Sequence, residues 1–205
     1  MGLAIYNPEI SDLLKEATKY KKESNLTDAI NCLRRAYQLM ENTETLYTVD
    51  TYLRLPSYLQ QANRMDEAWN ELCNIKNMVS NNYTDKFLYY SNMARVEHKM
   101  SLFLKHTQKY IDSLLYAVYS NLSLLNVLHI RLNDRDFEEI KERTNDEIQE
   151  IISNKYLSDY FQRTLKNTPY YDRWEIIVDI VSREIATLPI LDYADISQKL
   201  RSALK

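Results

Sequence analysis

Leu26-Thr27-Asp28-Ala29-Ile30-Asn31-Cys32-Leu33 is echoed by Met65-Asp66-Glu67-Ala68-Trp69-Asn70-Glu71-Leu72. Each copy sets a small alanine four residues ahead of a leucine, about one helical turn away on the same face. Self-similarity of this kind marks the second helix of a repeated helix hairpin. The chain is therefore expected to be all-α, built by stacking antiparallel hairpins.

Upstream of the first copy, Asn7-Pro8-Glu9 has the composition of a helix start, with Asn as N-cap, Pro in the first turn and a carboxylate near the positive end of the dipole. Ile10, Leu13, Leu14, Ala17 and Tyr20 come next at helical spacing, and Ser24-Asn25 turns the chain. Ala29, Leu33, Ala36 and Leu39 then form one face of the next helix. A second unit runs from Val49 to Lys76, with Tyr52, Leu55, Leu59, Ala68 and Leu72 in register. Pro56 falls inside its first helix, which is expected to kink or begin afresh there. A third unit pairs the seam Tyr89, Met93, Val96, Met100 and Phe103 with a Leu-rich helix carrying Ser113, Ala117 and Ser120 at the small positions.

These positions resemble the tetratricopeptide repeat, a helix hairpin of about 34 residues. Leu13, Ala17, Tyr20, Ala29, Leu33 and Ala36 fall on the family's large and small positions. Glu16 stands where Leu is usual, Pro56 where Gly or Ala is usual, Ile75 replaces a small residue, and the closing Pro is missing. The spacing drifts, with 39 residues from Ala29 to Ala68 and 45 from Ala68 to Ser113. The resemblance covers residues 8–132 and implies a right-handed superhelix of hairpins over residues 1–132. Residues 133–205 show no repeat register and are expected to form a C-terminal helical capping subdomain: a charged helix over 134–153, a short one over 156–167, one opening at Thr168-Pro169 and ending at Leu188-Pro189, and a last one using Leu191, Ala194, Ile196 and Leu200.

Composition narrows the alternatives. Gly occurs once, at Gly2, where average usage would give about 14. Left-handed turns and phosphate-cradling loops are thereby expected to be nearly excluded. With 26 basic and 29 acidic residues the net charge is −3, which argues against a nucleic-acid partner. Residues 134–150 concentrate eight acids against three bases, most simply a solvated face. Cys32 and Cys73 lie within predicted helices as free, packed thiols, which favours a cytoplasmic protein. Met1-Gly2-Leu3-Ala4-Ile5-Tyr6 lacks the apolar core of a leader. Residues 113–130 are uncharged but carry Ser120, Asn121, Ser123, Asn126 and His129, so a buried central helix is expected rather than a membrane span.

No catalytic, metal or cofactor motif emerges. His98, His106 and His129 match no ligand spacing, and there is no Walker loop, nucleophile elbow or Cys-x-x-Cys. Seventeen tyrosines are most simply helix-packing aromatics, with an aromatic binding groove as the other reading. The resemblance supplies one functional pattern. First helices of tetratricopeptide hairpins line a concave face, and their sixth position is here Lys15, Arg54 and Lys99, with Arg95 one turn before Lys99. These four are expected to line one locally basic groove for a protein or peptide, acidic or carboxylate-terminated. Leu14 stands where the family's carboxylate clamp has Lys, and Thr18 and Arg54 where it has Asn. The expected function is a non-enzymatic interaction module. The alternative is a self-associating homodimer using Leu102, Tyr116 and the Leu-rich segment at 122–128, and after it an all-α enzyme or nuclease without a recognisable motif.

Overall fold

The computed structural model describes residues 7–43, 47–185 and 193–205, all of whose regular structure is helical. The leader reading at residues 1–6, the helix end at Leu188-Pro189 and the core position Leu191 fall outside the described residues. The helices are α1 (Pro8–Lys22), α2 (Leu26–Asn42), α3 (Val49–Tyr52), α4 (Arg54–Gln61), α5 (Met65–Asn82), α6 (Lys86–His106), α7 (Tyr110–Asn133), α8 (Lys141–Ile152), α9 (Asn154–Leu165), α10 (Trp174–Ile185) and α11 (Tyr193–Ala203). Short 3-10 segments, Arg135–Ile140 and Tyr171–Arg173, precede α8 and α10. Two compact units divide the chain, Met1–Met78 and Val79–Lys205. The boundary expected at 132/133 falls at the end of α7.

In the first unit α1 and α2 form an antiparallel hairpin. Asn7 caps α1 as expected, its Oδ1 accepting from the amides of Glu9 and Ile10 at 3.0 and 3.3 Å. Ile10, Leu13 and Ala17 meet Ala29, Ile30, Leu33, Ala36 and Met40, all buried. Met40 takes the interior place expected of Leu39, which is only half-buried. Pro56 acts as anticipated: α3 ends at Tyr52 and α4 restarts at Arg54, so the proline sits in the first turn of a new helix, where its missing N–H costs no intrahelical bond. At the start of α5, Glu67 accepts from Arg64 Nε and Nη2 at 2.6 and 2.7 Å and from Arg34 Nη2 of α2 at 2.5 Å. Those guanidinium bonds, from Arg64 first, hold its carboxyl below the ordinary carboxylate range.

Scarcity of glycine does not exclude left-handed turns, and this expectation is corrected. Ser24, Asn63 and Gln108 adopt φ of 61°, 59° and 62°. Each closes the same motif at the end of a helix, after α1, α4 and α6. Asn25 N donates to Tyr20 O, Arg64 N to Leu59 O and Lys109 N to Leu104 O, at 2.9, 2.9 and 2.8 Å. Ser24 N donates to Lys21 O, Asn63 N to Gln60 O and Gln108 N to Lys105 O, at 3.1, 3.0 and 3.1 Å. These are the paired 6→1 and 5→2 bonds of a Schellman cap. Five residues past each left-handed residue come Ala29, Ala68 and Ser113, and seven before it Ala17, Pro56 and Ser101, all buried. The spacing drift read in the sequence therefore recurs unchanged in the turns.

In the second unit α6 and α7 pair antiparallel over their length. Met93, Val96, Met100 and Phe103 are buried as the seam requires. Around α7 lies a core with Leu114, Val118, Leu122, Leu125, Phe161, Ile177 and Leu200, drawn from α7 and α9 to α11. In place of the expected continuous charged helix stand a 3-10 turn and then α8. Thr168-Pro169 does not open a helix: Thr168 Oγ1 accepts from Tyr170 N at 3.3 Å in a turn, and α10 begins at Trp174. Ile196 and Leu200 face the core, whereas Ala194 is exposed.

The turns and the helix crossings respond to substitution in opposite directions. Gln108→Gly should stabilise the protein by about 0.5–1 kcal/mol in urea unfolding, because glycine removes the Cβ penalty at positive φ and only part of that gain is lost to chain entropy. Asn63→Gly should gain less, since Asn tolerates this region better. Ala29→Leu should instead cost ~1–3 kcal/mol by overpacking a fully buried crossing, and an unchanged thermal midpoint would show that the position has room.

Candidate functional site

The four cations expected in one groove divide between the units, Lys15 and Arg54 in the first, Arg95 and Lys99 in the second. Lys15 projects from the exposed side of α1 and pairs with Asp12 at 3.0 Å. Arg54 is half-buried at the first turn of α4. Its Nη2 donates to Leu14 O at 2.9 Å and to Thr18 Oγ1 at 2.8 Å, tying α4 to α1. The Leu14 carbonyl and the Thr18 hydroxyl are thus the acceptors that orient this guanidinium.

Tyr58, one turn after Arg54, is buried with two cations close to its ring. The Arg54 guanidinium carbon lies 5.9 Å and Lys21 Nζ 5.2 Å from its centroid. Lys21 has no position in the expected set. Sequence spacing does not pair it with Arg54, because the contact depends on how α1 and α4 are placed. On α2 the Tyr37 hydroxyl donates to Thr51 O at 2.5 Å, and its ring lies 5.2 Å from that of Tyr52. Burial pushes the Tyr37 phenol well above its ordinary range, with Arg54 opposing.

On α6, Arg95 and Lys99 are one turn apart and both exposed. Leu88 and Leu102, 45% and 48% exposed, lie seven residues either side of Arg95 and so share its stripe. Partial burial of the imidazole, and then the adjacent Lys99 ammonium, hold His98 below its ordinary 6.5. Of the stripe considered for self-association, Leu102 is exposed, whereas Leu122, Leu125, Val127 and Leu128 are interior and Leu124 is the exposed leucine of that segment.

The interior of the second unit holds a polar network. Glu97 is buried on α6 and accepts from Ser123 Oγ of α7 at 2.8 Å. Tyr193, the first residue of α11, places its hydroxyl 3.3 Å from Ser123 Oγ and accepts from Asn126 Nδ2 at 3.4 Å. Its ring stacks on Tyr119 at 5.1 Å, and Tyr119 hydrogen-bonds Ser197. Burial drives the Tyr193 phenol far up, and Ser123 opposes this. These groups knit α11 to the α6–α7 pair. Tyr193 carries no repeat register by which a sequence reading would find it, whereas Glu97 stands eleven residues before Gln108, the place that Leu13 and Tyr52 fill before Ser24 and Asn63.

α7 is long and apolar enough to cross a membrane by length and composition, but most of its apolar window is buried within the protein. Comparison with known protein families, curated proteins and solved structures gives no match for this chain.

A titration checks the local electrostatics of α6. Because His98 titrates below 6.5 in the fold, its contribution to stability is present above that value and is lost as pH falls through the folded pKa. Lys99→Gln should raise the His98 pKa, tracked by its ring proton resonances, while leaving the burial component. An unmoved midpoint would show that Lys99 does not act on this ring.

Proposed function

We propose that the chain is a non-enzymatic, tetratricopeptide-like interaction module that engages a protein or peptide segment, acidic or ending in a carboxylate, through the cation-bearing faces of its first helices. The observation that carries this reading is the threefold recurrence of one helix-ending turn: a Schellman cap at Ser24, Asn63 and Gln108, with a buried small side chain five residues after each. Repeats built on one turn expose the same register position again and again, and here that position is Lys15, Arg54 and Lys99.

Arg54 supports the proposal in a specific way. One nitrogen is committed to Leu14 and Thr18, while Nε and Nη1 make no bond among the described residues. A guanidinium oriented by its own protein loses less freedom on pairing with a carboxylate than a mobile one. On α6 the cations Arg95 and Lys99 lie between Leu88 and Leu102, a pattern suited to a segment with central acids and apolar flanks. The proposed location is cytoplasmic, in keeping with Cys32 and Cys73 as free thiols.

A second reading is self-association, favoured by the exposed Leu88 and Leu102 on one stripe of α6. Light scattering at increasing concentration separates the two, since a monomer leaves that stripe for another partner. Affinity capture from the native cell should recover a specific protein, and Lys15→Glu with Lys21→Glu should reduce its recovery at least about tenfold, a loss of ~1.4 kcal/mol, with unchanged helicity. Both lysines are exposed, so the fold tolerates the change. Full recovery by the folded double variant would remove the α1 face from the interface.

A further inference from the structure

A groove of about 660 Å³ lies at the C-terminal end of α9, lined by Asp159, Gln162, Arg163, Lys166, Asn167 and Tyr171. It is open to solvent, with Asp159, Arg163, Lys166, Asn167 and Tyr171 exposed and Gln162 half-buried, so it suits a segment laid along the surface rather than an enclosed small molecule. It belongs wholly to the second unit and shares no residue with the cation-bearing faces of α1, α4 and α6.

The end of a helix is ordinarily a poor place for an anion, because its last carbonyls carry partial negative charge. Here those carbonyls are neutralised from within. Lys105 of α6 donates to Thr164 O at 2.6 Å and to Arg163 O at 3.3 Å, and burial lowers its own pKa. Thr168 Oγ1 donates to Leu165 O at 2.7 Å. Asn167, at φ 64°, then turns the chain sharply so that Tyr171 comes back beside the last turn of α9.

The groups facing the groove keep donors to offer. Arg163 Nε donates to Asp159 O at 3.0 Å, which lays the guanidinium along the helix and leaves both Nη groups without a bond among the described residues. Lys166 Nζ, the Gln162 amide and the Tyr171 hydroxyl likewise make none there, and Tyr171 is 45% exposed. Arg163 and Lys166, three apart, share one side of the helix, and the carboxylate of Asp159 lies one turn before Arg163.

We infer that this groove is a peptide-binding site that takes an extended segment with one acidic side chain beside an aromatic or apolar one. The carboxylate pairs with Arg163 and Lys166 in charge-assisted hydrogen bonds. The neighbouring ring lies on Tyr171. Gln162 and Asn167 offer donor and acceptor groups to the peptide backbone, and Asp159 repels a second acid at the far end. The site is independent of the proposed α1 and α6 faces, and its test leaves them intact.

The test is a titration of the isotope-labelled full chain with acetyl-Ser-Glu-Phe-Ser-amide, its Gln-for-Glu counterpart, and inorganic phosphate. The Glu peptide should give saturable amide shifts at Gln162, Arg163, Lys166, Asn167 and Tyr171. Affinity should fall at least about tenfold for the Gln peptide and for Arg163→Gln with Lys166→Gln. Tyr171→Ser, which keeps both cations, should weaken binding while preserving the preference for Glu over Gln. The inference is overturned if no saturable shift occurs, if the Gln peptide binds equally, or if either variant leaves affinity unchanged. Phosphate reproducing the full shift pattern at equal affinity would overturn it too, by reducing the groove to a simple anion site.

Discussion

The constraint on which this architecture rests is the left-handed residue that ends each first helix. A hairpin of two packed helices must reverse within three residues and still satisfy the carbonyls left open at the helix end. The Schellman bonds at Ser24, Asn63 and Gln108 do both. They also fix the phase of the second helix, so that the fifth residue onward, Ala29, Ala68 or Ser113, starts its buried face. Without glycine each turn carries a Cβ in an unfavourable region, at a cost of roughly 1–2 kcal/mol. That cost is tolerated because the hairpin packing depends on the turn being in that one conformation.

Where the repeat loses its alanines, hydrogen bonds take over the job of holding two helices close. In the third hairpin serines stand at small positions. Ser113 Oγ donates to Ser101 O at 2.8 Å, and Ser120 Oγ donates to Ala94 O at 2.8 Å. Asn121 Nδ2 donates back to Ala117 O at 2.9 Å. A buried hydroxyl without a partner would cost about 1–3 kcal/mol, so a slip of α7 along α6 is penalised at several points at once. The same reasoning explains why α7, apolar enough for hydrocarbon by composition, suits a protein interior. Ser113, Ser120 and Ser123 bond groups of α6, the Asn126 amide donates to Tyr193 of α11, and Asn121 bonds back within α7.

Much of this was legible in the residues. The Asn7 cap, the burial of Ala29 and Ala68, the restart at Pro56 and the interior place of the uncharged segment all come from local rules that packing reinforces. The left-handed turns were missed because a count of glycines treats positive φ as glycine's alone, whereas Asn, Ser and even Gln enter it when two cap bonds reward them. Thr168-Pro169 misled for the opposite reason: its local composition is that of a helix start, but the hydroxyl is used in a turn, and the helix begins only at Trp174. Of the proposed binding cations, the outward placing of Lys15 and Lys99 was readable from their phase. The tie from Arg54 to α1 was not, since a contact forty residues apart in sequence is set by helix placement alone.

One register position thus supports different physical roles. Lys15 is solvated and pairs with its own helix neighbour Asp12, while Arg54 bridges two helices and keeps one edge of its fork open. The difference lies in the side chains. An ammonium is a compact, strongly hydrated point charge, whereas the planar guanidinium can give one nitrogen to a carbonyl and a hydroxyl and still present others. Arg54 therefore contributes to the packing of α4 on α1 whether or not a partner is bound. Arg163 repeats the device in the second unit, one nitrogen held by the Asp159 carbonyl and the remaining fork open. A chain with few sequence motifs can carry pre-oriented cations in this way, because the backbone carbonyls that hold them leave no signature in the order of residues.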